Sequence, residues 1–154
     1  MSLTRRDLAV GVATASLTLA SGAVALTAPS VLTSSVFDWS AMKAEPTASG
    51  EVRHVFRART ATLDELECHV TTLKAGAPSH PPHVHPNEEV LIVREGHVEV
   101  FYRNAWHPAG PGAVIFLTGT DPHGIRNAGT TAATYHVLAW QSPGMMPASD
   151  AKAD

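Results

Sequence analysis

Glu89-Val90-Leu91-Ile92-Val93-Arg94-Glu95-Gly96-His97-Val98-Glu99-Val100-Phe101-Tyr102 is the stretch that decides the fold class. Two short runs rich in β-branched and aromatic residues, 89–94 and 97–102, flank a tight turn containing glycine, which is the pattern of neighbouring antiparallel strands. Further out, residues 51–58, 66–73, 112–117 and 134–140 read as strands, and Arg103-Asn104-Ala105 as another tight turn. Along 66–73, Leu66, Cys68, Val70 and Thr72 share one face, while Glu67, His69 and Thr71 share the other. Beyond residue 50 no stretch sustains a 3.6-residue apolar period. The helical candidates are short, residues 62–66 and the tail after Met145. Many short strands with frequent turns imply an all-β barrel or sandwich.

Val90-Leu91-Ile92-Val93 is apolar at every position, so both faces of that strand should be covered. A small barrel covers only its inner face. With Glu89 inward, Val90 and Ile92 must meet the N-terminal arm or a second subunit, and a homodimer is the expected assembly.

The chain has 154 residues and a net charge of −3, with 16% charged residues. That size suits one domain, and without a basic run neither nucleic acid nor an anionic membrane is expected as partner. A hydrophobic content of 44% is enough for a packed core. The single cysteine, Cys68, excludes an internal disulfide framework and a multi-cysteine zinc site. Its apolar neighbours on alternate positions predict a buried, inert thiol. No glycine-rich phosphate loop and no nucleophile-elbow motif occurs, which removes nucleotide-dependent and serine-hydrolase readings.

The first fifty residues read differently. Thr4-Arg5-Arg6-Asp7-Leu8 opens the chain, and no charged residue follows Asp7 until Asp38. Residues 8–28 are rich in Ala, Val, Leu, Thr, Ser and Gly, and Ala23-Val24-Ala25 offers a small-x-small cleavage site. Paired arginines before such a stretch resemble a twin-arginine export signal. A retained anchor is the alternative. The expected organisation is a signal at 1–25, a linker and arm at 26–50 with Phe37 and Trp39 as packing residues, the barrel at 51–142 and a tail at 143–154. The resemblance implies a periplasmic or secreted protein without stable membrane association after cleavage.

All nine histidines lie beyond residue 50. His83 and His85 are two apart, so on extended backbone both rings leave one face, an arrangement that suits a shared cation. Glu89, an even number of residues further on, can return to that side and supply a hard oxygen. Glu88, at odd spacing, should point outward. A fourth group must come from elsewhere, and His123 is the candidate. The stretch His83-x-His85-x-x-x-Glu89, with Gly96 beyond it, resembles the first motif of the cupin superfamily. Gly112, His123 and Asn127 resemble the second, with Thr118 and Thr120 standing where that motif usually has proline and glycine. The resemblance implies a double-stranded β-helix, or jelly-roll, barrel. It also implies one divalent metal (Mn, Fe, Ni, Co, Cu or Zn) on His83, His85, Glu89 and His123, and a small-molecule substrate or ligand. The function implied is that of a small-molecule metalloenzyme of oxygenase, isomerase or lyase type, or else of a non-catalytic metal- or ligand-binding module.

The remaining histidines get plainer readings. His54, His69, His97 and His107 are expected to be solvated or hydrogen-bonded. His80 is a rigid-loop residue or a contact near the metal. His136 shares parity with Leu138 and Trp140, which makes it a candidate for the cavity wall. Arg94, Tyr102 and Arg126 are candidate anion contacts, and Asn127 a loop-fixing residue.

Overall fold

The computed structural model describes residues 31–144. The expected signal at 1–25, the start of the arm and the tail beyond 144 lie outside the described residues. Nine strands follow a short 3-10 turn at Trp39–Ala41: β1 (Glu45–Pro46), β2 (Gly50–Ala58), β3 (Glu65–Leu73), β4 (Glu88–Glu95), β5 (Val98–Tyr102), β6 (Ala105–Ala109), β7 (Val114–Leu117), β8 (Gly124–Asn127) and β9 (Ala133–Gln141). One sheet has the order β1-β2-β3-β9-β4-β7 and the other β6-β5-β8, with every strand pair antiparallel. The fold is the expected all-β jelly-roll barrel.

Three strands escaped the sequence reading: the two-residue β1, β6 and β8. β6 carries Pro108 and β8 opens on Gly124, and both are edge strands of the smaller sheet, where a missing ladder donor is tolerated. The helix considered at 62–66 does not form. Thr60 Oγ1 instead accepts from the backbone N–H groups of Thr62 and Leu63, a local turn that leads into β3. Between β5 and β6, Arg103 and Asn104 both take positive φ (49° and 59°), as a two-residue I′ hairpin requires.

The core lies between the sheets. Leu73, Leu91, Val93, Val98, Val100 and Tyr135 are each 2% exposed or less and form one cluster with Ile125, Ala133 and Val137. Cys68 and Val70 are also buried but belong to the opposite face of β3. Cys68 pairs with Phe56, whose ring meets Phe37 of the arm at 5.2 Å, and Val70 pairs with Arg53, whose guanidinium lies 4.6 Å over Trp39. Arg94 stacks on Trp39 as well, at 4.2 Å. The arm therefore covers the outer face of β2 and β3, and Phe37 and Trp39 pack as expected. Aromatic and cation–π contacts of this kind contribute about 0.5–1.5 kcal/mol each. Burial raises the Cys68 thiol pKa, with the Glu67 carboxylate adding to the effect.

The arm does not reach the far half of that face. Val90 pairs with Phe116 and Ile92 with Val114, and Ile92, Val114 and Phe116 remain 39%, 69% and 55% exposed.

Candidate metal centre

The two histidine-bearing segments are fastened to each other by backbone. His83 and His123 exchange both N–H···O bonds at 3.0 Å, His85 N–H donates to Gly119 O at 3.1 Å, and Ser79 N–H donates to Ile125 O at 3.0 Å. Gly119 is what allows the approach, because a Cβ there would stand 2.1 Å from the carbonyl oxygen of His85. The loop carrying Thr118 and Thr120 thus reaches its position through Gly119 between them.

This pairing gathers His83, His85 and His123, with one ring nitrogen of each within 4.8 Å of the others. His83 is exposed, His85 half-buried and His123 buried. His123 Nδ1 donates to the Asp121 carbonyl at 2.7 Å, so its Nε2 presents a lone pair inward. That Nε2 is 3.0 Å from His85 Nε2, which is in turn 2.9 Å from Glu89 Oε1. His85 Nε2 thus stands between the His123 nitrogen and the Glu89 carboxylate, while the set gathered within 4.8 Å of one another is the three imidazoles without Glu89. Two ligand atoms at right angles on an ion about 2.1 Å away stand about 3.0 Å apart, against about 3.4 Å at the tetrahedral angle. The donor set fits a divalent transition metal, and the three imidazoles can hold one.

The electrostatics agree with that donor set at His83, His123 and Glu89 and run against it at His85. Burial, reinforced by the neighbouring imidazoles, lowers the His83 pKa, and burial lowers that of His123 against the pull of Asp121 and Glu89. Both rings are thereby kept in the neutral, ligating form. Burial opposes ionisation of Glu89, but the hydrogen bond from His85 and the surrounding imidazoles prevail and its pKa falls. The Glu89 hydrogen bond raises His85 against its burial. Glu88 pairs with Trp140 on the outer face, whereas Glu89 lines the interior.

A cavity of about 60 Å³ opens beside this group, walled by His69, His80, Glu89, His123 and Tyr135 among others. The His80 ring meets that of His83 at 4.2 Å. His69 is the residue that sequence reasoning missed. It was expected to be solvated or hydrogen-bonded, and its Nδ1 does sit 2.9 Å from Glu67 Oε1, but the inner face of β3 is the polar one and His69 lines the cavity. The available signal was the Glu67, His69, Thr71 alternation. Which face is inner was not legible, because the arm buries the apolar face from outside.

His136 is the mirror case. It pairs with Val70 and Ile92 on the outer face, while Tyr135 and Val137 point inward, so it does not line the cavity. Of the candidate anion contacts, the two arginines are elsewhere, while Tyr102 lines a second cavity of about 400 Å³ that also reaches His123. Arg94 stacks on Trp39, Arg126 pairs with Glu99 and lies over Trp106, and Tyr102 stacks on His107 at 3.9 Å. His107 Nε2 is buried without a hydrogen-bond partner rather than solvated. Asn127 fixes its loop, donating to the carbonyls of Leu73, Lys74 and Thr131 and accepting from Gly129 N–H.

Residues 69–139 match the family model for the cupin domain (Cupin_2). No curated protein matches the chain. Solved structures do. An RmlC-like cupin from Shewanella frigidimarina superposes with a TM-score of 0.58 at 17% identity, over 72% of this chain and 95% of its own. A predicted oxalate decarboxylase from Thermotoga maritima gives 0.57 at 17%, over 70% and 99%. The polyketide cyclase RemF from Streptomyces resistomycificus gives 0.56 at 19%, over 75% and 85%. At these identities the likeness is one of fold. Residues 69–139 thus resemble a cupin domain, and the barrel is shared with these cupin structures.

Proposed function

We propose that the chain is an exported small-molecule metalloenzyme whose single divalent transition metal is held by His83, His85, Glu89 and His123. The observation that carries the reading is the convergence of His85 Nε2 with His123 Nε2 at 3.0 Å and with Glu89 Oε1 at 2.9 Å, at the edge of a cavity. When bound, the metal would supply Lewis acidity toward a chelating oxyacid or enediol, or a place for dioxygen. The chain's own groups do the rest. Asp121 holds the His123 ring, the His83–His123 backbone pair keeps the two segments in register, and Leu91, Leu117 and Val137 close the cavity floor to water. A cavity of this size suits a substrate of only a few heavy atoms.

A non-catalytic binding role is the competing outcome of the test. Protein purified from its host is stripped with chelator and reloaded with Mn, Fe, Co, Ni, Cu or Zn, then assayed on small oxyacids and enediols. The reading expects one ion per chain and turnover that is lost and regained with it. A tightly held ion with no turnover under any metal favours the binding role. The twin-arginine resemblance at Arg5-Arg6 supports export after cytoplasmic folding, which would favour Mn or Fe in the site. The uncovered patch of Ile92, Val114 and Phe116 supports the homodimer, and Phe116→Lys should convert it to monomer in sedimentation.

A further inference from the structure

Accepting the proposed metal site, the cavity wall facing it needs a group that can move a proton. Five titratable side chains line that cavity: His69, His80, Glu89, His123 and Tyr135. Glu89 and His123 are committed to the metal. Burial, only partly offset by hydrogen bonds from Ser79 and Thr71, pushes Tyr135 up to about 12, so it keeps its proton. His80 is exposed, packs its ring on His83 and directs Nδ1 toward the Pro81 carbonyl at 3.2 Å.

His69 differs from all of these. It projects from the middle of β3, a strand paired on both sides, so its backbone is fixed. Its Nδ1 is engaged by Glu67, two residues earlier on the same face, and a carboxylate there selects the tautomer with the proton on Nδ1. That leaves Nε2 with its lone pair as the ring nitrogen available to the cavity. The hydrogen bond from His69 outweighs burial and holds the Glu67 pKa down, helped by the charge of Arg57. The groups around the pair are therefore Glu67 on its own strand, His54 and Arg57 on β2, Glu89 on β4, and His80 and His123 from the loops. The two side chains are about a quarter exposed, wet enough to exchange protons and enclosed enough to be positioned.

We propose that His69 is the catalytic base of this site, with Glu67 as its positioning residue, and that the reaction is proton abstraction from carbon next to the carbonyl of a small 2-oxo or 2-hydroxy acid. In that step the C–H bond breaks and its electron pair stays on the substrate as an enolate. A new N–H bond forms at His69 Nε2, and the ionised Glu67 stabilises the resulting imidazolium. The proton returns to carbon, or is replaced by one from water, when the enolate collapses. This selects isomerase- or lyase-type chemistry from the reactions the metal site allows.

The test uses pyruvate as probe and full-length protein loaded with Mn²⁺, its metal content measured on every sample. Proton NMR in D₂O follows deuteration of the pyruvate methyl group, and Mn²⁺-enhanced water relaxation reports pyruvate binding. Wild type should exchange the methyl protons. His69→Gln should keep its metal and its pyruvate affinity while exchange falls about 100-fold or more. Glu67→Gln should lower exchange with the same affinity, and Glu67→Asp should recover part of it. Independently, ¹⁵N spectra of zinc-loaded wild type should show His69 protonated on Nδ1. Exchange at the wild-type rate in metal-replete His69→Gln, no exchange by metal-replete wild type, or an Nε2-protonated His69 would each overturn the proposal. Failure of wild type to hold metal would instead strike the metal-site reading itself.

Discussion

At one end of the barrel Leu73, Val93, Val98 and Ala133, each 1% exposed or less, meet with no titratable group among them. At the other end the same strands present His69 and Glu89 to a cavity. On β3 the two environments are separated by His69 and Leu73, and on β4 by Glu89 and Val93, four residues or about 13 Å of strand in each case. Sheet continuity lets the dry end hold the polar end in register. The polar side chains need not stabilise the fold, and several of them work against it.

Variants can break this division, beginning with the largest effect. His85→Ala removes the nitrogen that meets both His123 and Glu89, and metal affinity should fall more than about 100-fold, since loss of supporting contacts alone costs about 10–100-fold. Elemental analysis after dialysis reads this directly, and denaturant unfolding of the metal-free protein should change little. Leu73→Ala should do the reverse. It opens a cavity at the dry end and costs about 2–5 kcal/mol in urea titration, with metal stoichiometry retained in the folded fraction.

A smaller effect is expected from pH. His83, His123 and the outer-face His136 all have folded pKa values lowered from 6.5, chiefly by burial. Around and below pH 6.5 the unfolded chain binds these protons and the folded chain resists them, so stability falls on acidification. Glu89, also lowered, contributes stability above its ordinary 4.5 that is lost as pH drops through its folded value. His85, raised by Glu89, acts in the opposite sense, contributing below 6.5 and losing that contribution as pH rises through its folded value. Three lowered imidazoles against one raised predict that metal-free protein is less stable at pH 5 than at pH 7. Thermal melts across that range check it, and a flat profile would mean the rings are not held as described.

Much of this was legible before the structure. β2, β3, β4, β5, β7 and β9 follow from runs of β-branched and aromatic residues punctuated by turns, and the even spacing of His83, His85 and Glu89 marks one face. β6 and β8 were not legible, because edge strands tolerate Pro108 and Gly124 and so lose the compositional signal. His69 went unrecognised as a cavity residue, and His136 was offered as one, for a shared reason. Period-two alternation separates two faces without saying which is inside, and the apolar face is the natural choice for the core. Here Phe37 and Trp39 cover β3 from outside, so Cys68 and Val70 are buried outward while Glu67 and His69 turn in.

The central claim is best tested by anomalous diffraction from crystals of protein purified from its host. The account predicts one transition-metal peak within bonding distance of ring nitrogens of His83, His85 and His123 and of the Glu89 carboxylate, facing His69 across the cavity. A peak elsewhere, or a His123 ring released from Asp121 and turned to bulk water, would contradict it.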